Sequence, residues 1–280
     1  MAKPMLSAAK LLLMIVLAAI ALLPIVWMAF GSFRAHEEIF KYASDMDWRT
    51  IFPVEWTLDN YRAIFSDETK PFGRFIANTL LVAVPVTVLS LIFNSLAAFA
   101  FAKLRFRFKK TIFAFFLSAL VIPGEVTLVP SYLLMSDFGW IDQYAALIVP
   151  AVVSVFGVFL LVQFFSDIPR DLLEAGRMDG ASWLRVYRSV VLPAAVPAIV
   201  TLAVITFLGQ WDAYLWPLVV LNDQNKMMLQ VAIATFSNLQ VTEWGRILAA
   251  DTVSSLPILV LFLFVQRYYV QGIAMSGIKG

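Results

Sequence analysis

Glu174, Arg177 and Asp179 stand close together among the small residues Ala175, Gly176, Gly180 and Ala181. They belong to a polar stretch, EAGRMDGASWLRVYRSVVLP (174–193), set between two long apolar runs. Fixed charges of both signs beside side chains too small to obstruct suit a short helix pressed into a groove of another protein, held by ion pairs and close backbone approach. A second stretch, GQWDAYLWPL (209–218), pairs hydrogen-bonding groups (Gln210, Asp212) with aromatic faces (Trp211, Tyr214, Trp216). A sugar asks for that combination, because its hydroxyls need partners and its C–H faces need flat apolar surface; Pro217 then stops the helix. A membrane-interface aromatic belt accounts for the same rings equally well. Bond-making chemistry has little to work with. The chain has no cysteine, hence no disulfide framework or thiolate metal site, and its one histidine, His36, sits in a polar loop without companion ligands.

Composition dictates what must position these residues. Of 280 residues, 61% are apolar and 14% charged, far from the roughly 45–50% apolar share of a soluble domain. The chain reads as a membrane protein. A helix crosses the hydrocarbon with about 20 residues, and stretches free of charge, or nearly so, place spans at 11–33, 75–102, 111–136, 143–166, 189–211 and 247–266. The third is interrupted by Glu125 beside Pro123 and Gly124, and the last reaches full length only by including Asp251. Backbone groups in lipid must pair within their own segment, and these runs far exceed a barrel strand of about 10 residues, so the expected fold class is all-α: one polytopic transmembrane domain, 1–280, of six helices. The uncharged core of the first run is too long for the h-region of a cleaved signal sequence, about 7–15 residues, and reads as a retained helix.

Basic residues orient the chain. With a cytoplasmic amino terminus, that side carries 13 of the 21 Lys and Arg; six of the remaining eight lie in the long 34–74 loop, and long loops follow the positive-inside rule poorly. Both termini are therefore expected in the cytoplasm, 34–74 outside as an ordered loop with Trp48, Trp56, Tyr61 and Phe65 at the interface, and 167–188 inside. KLRFRFKK (103–110) reads as a basic anchor with aromatics dipping into the lipid surface rather than as a nucleic-acid site. No internal repeat or low-complexity tract is visible.

Within 167–188, proline is favoured at a first helical position, and Asp171 and Glu174 suit the positive end of a helix. Gly180 suits a C′ stop and Ser182 an N-cap. The spacing predicts a helix over 169–179, a glycine corner, and a second helix running to Pro193 and on into the membrane. An ordinary amphipathic surface helix between two spans would carry much of the same composition.

The whole string IPRDLLEAGRMDGASWLRVYRSVVLP resembles the EAA-loop signature of ABC importer permeases: Glu-Ala, a spacer, Asp-Gly-Ala, then Leu192-Pro193 about a dozen residues later. Gly176 departs from the alanine commonest there, which keeps the side chain small but loosens the helix by up to about 1 kcal/mol. PGEVTLVPSYLLMSDFGWIDQYAALIVP (123–150), GQWDAYLWPL and the tail QRYYVQGIAMSGIKG (266–280) are similar to the carbohydrate branch, in particular the second membrane subunit of maltose-type transporters. The likeness covers most of the chain from about residue 75. It implies a type I ABC importer permease fold in a bacterial inner membrane, a second homologous permease, a dimer of ATPase subunits that bind ATP and Mg²⁺, and an external solute-binding protein delivering a carbohydrate-class solute. It makes Glu174, Ala175, Gly176, Asp179, Gly180, Ala181, Leu192 and Pro193 the ATPase-coupling residues and brings the carboxyl tail towards the ATPase. The implied roles are Glu174 pairing with a cation of the ATPase and Asp179 bonding backbone amides near Gly180. The chain itself is expected to bind no cofactor, since no GxxxxGK[ST] phosphate cradle is present. The solute, whether oligosaccharide, disaccharide, monosaccharide, polyol or glycerol-phosphate, stays open.

Polar groups inside spans are costly and commonly face a cavity. Asn78, Asn94, Gln210 and Asp212, with the rings of Trp211, Tyr214 and Trp216, are the candidate solute path; Glu125 and Asp251 are further polar groups in or near spans. For Asn78 and Asn94, helix-to-helix bonding is the competing reading, and for Glu125 and Asp251 a place near the outer interface. A stand-alone secondary transporter is the alternative function. It would want coupled charges deep in the spans, where only Glu125, Asp212 and Asp251 are on offer, mostly near ends. An intramembrane enzyme would want a nucleophile with its base, or a metal cluster.

Overall fold

The computed structural model describes residues 2–42, 44, 47–67, 71–237 and 242–276, the side chains of 2–9 and 267–276 excepted. Residues 277–280 of the tail singled out above thus lie outside the described residues. Those described form helices and turns, with no strand among them. In chain order the α-helices are α1 (Ala2–Gly31), α2 (Asp59–Phe65), α3 (Phe72–Lys103), α4 (Lys109–Ser118), α5 (Gly124–Asp137), α6 (Ala145–Ala151), α7 (Val155–Asp167), α8 (Arg170–Met178), α9 (Trp183–Val186), α10 (Leu192–Ala194), α11 (Val196–Trp211), α12 (Leu215–Val220), α13 (Leu229–Ser237) and α14 (Trp244–Ser276). Among the described residues, four stretches are long and apolar enough to cross a membrane: Lys10–Gly31, Phe72–Lys103, Ala145–Asp167 and Trp244–Gln266. The count reaches six if each of two bent pairs is one span.

Those bends fall inside runs that the sequence reads as single spans. Between α4 and α5 the axis turns by 102°. Ile122, forced out of the helical region by the ring of Pro123, sits at φ −82°, ψ 115°, and Pro123 at φ −61°, ψ 139°. Before α11 the axis turns by 81°. Pro193 has no N–H for the carbonyl four residues earlier, and Pro197 none for that of Pro193. Here the chain adopts a π-helical turn at Tyr187–Val191, the short α10, and then Ala195 at φ −106°, ψ 15°. A third interruption, residues 152–154, divides α6 from α7.

The contacts divide the chain into two compact units, residues 1–73 with 232–257, and residues 74–231 with 258–280. In the first, the loop after α1 is built around a buried ion, Arg34, 1% exposed, whose guanidinium donates to the carbonyls of Arg49 (2.6 Å), Phe52 (3.2 Å) and Ile39 (3.3 Å). Buried Glu38 accepts the amide of Val54 at 2.7 Å and that of Glu55 at 3.3 Å. Asn60 of α2 donates to the carbonyls of Ser32 and Arg34 (2.9 and 2.7 Å). His36 is exposed in a short 3₁₀ turn.

In the second unit, α3, α7, the turns after α8, and α11 share a core in which Ala98, Val158, Leu161, Phe165, Val186, Val191 and Ala198 are all fully buried. Small residues let the backbones approach closely. A Cβ added at Gly157 would stand 3.0 Å from Leu202 and 3.2 Å from the Asn94 amide.

Candidate functional site

Residues 167–186 form the predicted helix, the corner and the start of the second helix; instead of running on through Pro193 into the membrane as expected, that second helix passes into the π turn and ends at the 81° bend. Pro169 precedes α8 at φ −56°. The helix closes on Gly180, whose φ of 80° is the left-handed conformation expected of it. The Gly180 amide donates to Arg177 O (3.1 Å) and the Ala181 amide to Gly176 O (3.0 Å), the paired bonds of a Schellman stop. These, with the Asp179 amide on Ala175 O at 3.0 Å, satisfy the local backbone, so the Asp179 carboxylate does not supply the bonds expected of it and stands exposed. Arg177 adds a clamp, donating to Ala181 O at 2.6 Å and lying 5.0 Å from the Trp183 ring centre. Ser182 caps α9 by accepting from the Arg185 amide at 3.3 Å.

One residue roots α8 in the core: Leu173 is 3% exposed and belongs to the cluster of Phe165, Val186 and Val191. Most of the rest of the segment is open. Glu174 is exposed and makes no ion pair with another described residue, while Leu172, Met178 and Leu184 show 52%, 83% and 50% of their surface. Sequence reasoning missed these three. Their signal was available, as large apolar side chains in an otherwise polar segment, and each leaves apolar surface uncovered. Ala175 is exposed, Gly176 and Ala181 partly covered; Leu192 is half-buried and Pro193 exposed after the π turn. Beside Glu174 a cleft of about 550 Å³ is lined by Lys103, Arg105, Arg170, Arg177 and Trp183. With four cations against one carboxylate, the lining is net positive.

At the other candidate site the assignments separate. Trp211, read from sequence as an open aromatic face, is 1% exposed and lies 5.7 Å from Phe207 in a stacked pair, so its ring belongs to the packed interior. Asp212 and Tyr214 are exposed, and Asp212 accepts from Gln230 Nε2 at 3.3 Å. Gln210 and Trp216 line a cleft of about 240 Å³ with Val82, Pro150 and Met228; the Trp216 indole N–H donates to Ala146 O at 3.0 Å, which fixes the ring.

Asn78 and Asn94 lie elsewhere, and both amides are engaged with backbone. Asn78 donates to the carbonyls of Asn225 (2.8 Å) and Met227 (3.0 Å). Asn94, fully buried, accepts from the Ser154 amide (3.0 Å) and donates to Ser90 Oγ (2.6 Å) and Val152 O (3.4 Å), so it plugs the break between α6 and α7. Glu125 is exposed at the start of α5, and Asp251 lines a groove with Trp27 and Asp47 in the first unit.

The chain belongs to the family of binding-protein-dependent transport system inner membrane components, whose model matches residues 4–275. It is 31% identical over 265 residues to the arabinooligosaccharides transport system permease protein of Halalkalibacterium halodurans, covering 94% of this chain and 93% of that protein. It is 30% identical over 271 residues to the trehalose/maltose transport system permease protein of Thermococcus litoralis, covering 95% and 94%. Among solved structures, a chain of a bacterial ABC transporter that imports the acidic polysaccharide alginate superposes with a TM-score of 0.83 at 24% identity, over 96% of this chain and 98% of that one. The fold is therefore that of an ABC permease, and the chain is a membrane transport subunit of a family that is not itself catalytic.

Proposed function

We propose that this permease works in the bacterial inner membrane with a second, homologous permease, a dimer of ATPases gripping residues 167–188 from the cytoplasm, and an external solute-binding protein. The cargo is a carbohydrate-class solute moved inward. One observation carries the reading: α8 is a helix, closed by its own backbone bonds at Gly180 and rooted through Leu173, that exposes an unpaired carboxylate, Glu174, and the apolar side chains of Leu172 and Met178. Such a knob fits a groove carrying a cation and an apolar floor.

The solute class is supported by the relatives, which carry arabinooligosaccharides and trehalose or maltose. The basic residues of 103–110 and 170–188 support the cytoplasmic orientation. ATP and Mg²⁺ belong to the ATPases; the sequence of this chain contains no GxxxxGK[ST] loop. When the ATPases close on nucleotide, the grooves draw both coupling helices together. Because α8 is anchored in the core, the closure becomes movement of spans and opening of the path outward, reset on hydrolysis. In that path Gln210, Asp212, Tyr214 and Trp216 are the groups placed to meet a hydroxylated solute, with Trp211 holding the segment.

Glu174→Lys in the complete transporter tests the coupling role. A lost charge-assisted contact of about 1.5–3 kcal/mol weakens docking roughly tenfold to a hundredfold, so uptake and solute-stimulated ATPase should fall while membrane abundance holds. Uptake at the native rate and normal abundance overturns the role. The reading as a whole fails if the isolated chain concentrates solute in liposomes without partners.

A further inference from the structure

The coupling loop has two roots, and both are tied to the same helix. Ahead of α8, the Lys103 ammonium, on a residue 8% exposed at the very end of α3, donates to Ser166 O at 3.2 Å and Ile168 O at 2.5 Å. Ser166 O is among the last carbonyls of α7, where the helix dipole favours a cation, and Ile168 is the extended residue that follows the helix. After α9, the Tyr187 and Ser95 hydroxyls share a hydrogen bond of 2.6 Å, and both residues are buried. Ser95 and Lys103 are eight positions apart on α3, about 12 Å along its axis, so α3 is held at two separated points. Lys109 braces the same corner, donating to Leu104 O at 3.0 Å.

Further along, α3 is fastened again. Asn94 binds the α6–α7 break, Asn78 holds the carbonyls of Asn225 and Met227, Thr79 Oγ1 accepts the Leu229 amide at 2.9 Å, and Arg74 bonds the Asn225 side chain. Val82 of α3 forms part of the cleft that holds Gln210 and Trp216. Between the two ends α3 is one unbroken helix of 32 residues.

We propose that α3 is the lever that carries the movement of the coupling loop to the cleft at Gln210 and Trp216, and that Lys103 and Tyr187 are the positioning residues that attach the loop to it. The proposal rests on the docking role of α8. A burying environment makes an ammonium an expensive cap. Its attachment matters when the two roots must move as one with α3, since a slack root would let α8 follow the ATPase while α3 stayed behind.

The test uses the complete reconstituted transporter with Lys103→Met, Lys103→Arg, Tyr187→Phe and Ser95→Ala, reading solute molecules moved per ATP hydrolysed beside abundance and thermal unfolding. Lys103→Met and Tyr187→Phe should each lower that ratio, by roughly twofold to thirtyfold, with ATP hydrolysis continuing. Lys103→Arg should restore most of it. Tyr187→Phe and Ser95→Ala remove the two ends of one bond and should not add. A purely structural role would lower unfolding temperature or abundance and leave the ratio unchanged; that result overturns the proposal. If Lys103→Met fails to assemble, the hydroxyl pair decides by the same ratio. An unchanged ratio in these variants beside an uncoupled Glu174→Lys condemns the lever alone, whereas native uptake by Glu174→Lys condemns the docking role beneath it.

Discussion

At Gly180 the backbone sits at φ 80°, with open space where a Cβ would be. Crowding is therefore not what demands glycine; the conformation is. An L-residue held left-handed costs about 1–2 kcal/mol, more for a β-branched one and less for asparagine. Gly180→Val should unfold the Schellman corner and swing α8 off its Leu173 root, lowering uptake strongly, while Gly180→Asn should keep most of it. Uptake of both, with proteolysis of the loop as the structural readout, checks this; equal, near-native behaviour would show that the corner tolerates other geometry. Gly176 is a different case. A Cβ there would meet Val186 Cγ2 at 3.4 Å, ordinary contact, so alanine fits and nothing in the packing requires glycine.

Elements show where sequence reasoning stops. Charge-free length announced the apolar helix of 75–102, and Gly180 as a C′ stop ahead of the Ser182 cap announced the corner at 180. The same reasoning ran straight through the 102° and 81° bends, because apolar length reports the depth of lipid crossed and says nothing about the continuity of an axis. Pro123, Pro193 and Pro197 were the available clues. Asn94 could not be placed for a related reason: its partners, Val152 O and Ser154 N, exist only because the helix breaks there. Trp211 misled through its neighbours, since an aromatic cluster beside polar groups looks alike whether a ring is open or stacked inward.

The loop between α5 and α6 shows such a hidden partnership as well. Asp142, at φ 59°, accepts the amides of Asn222 and Asp223 at 3.0 Å each, and Lys226 Nζ reaches its carboxylate at 3.3 Å. The amide of Asp223, then that of Asn222 and the Lys226 ammonium, hold this carboxyl below the usual carboxylate range. A lowered folded pKa means stability fully present above the unfolded value, near 3.9, and lost as pH falls through the lower folded one. Asp142→Asn, which still tolerates φ above zero, should flatten the acid side of the pH–stability curve in detergent and lose a little stability at neutrality. An unaltered acid slope would remove Asp142 from that role.

On the scale of the whole molecule, the surface is apolar where a soluble protein's would be charged: Leu12, Leu17 and Ile20 of α1 and Phe262 and Phe264 of α14 are 56–67% exposed, a pattern suited to lipid or a partner permease. What remains is the number of crossings. If each bent pair is one span there are six, and otherwise four, and the two counts place the loops on different sides. With six, Met178 follows four crossings and Gln224 five, so residue 10 and Met178 share a side and Gln224 faces the other. With four, α4–α5 and α9–α11 return without crossing, and Met178 and Gln224 then share the side opposite residue 10. The chain has no cysteine, so Lys10→Cys, Met178→Cys and Gln224→Cys, made one at a time, each carry a single label site. A membrane-impermeant maleimide added to intact spheroplasts should modify only Gln224→Cys, and the other two should react only after lysis. Labelling of Met178→Cys and Gln224→Cys from the same side would make the bent pairs re-entrant and would place α8 beyond the reach of a cytoplasmic ATPase wherever residue 10 is inside.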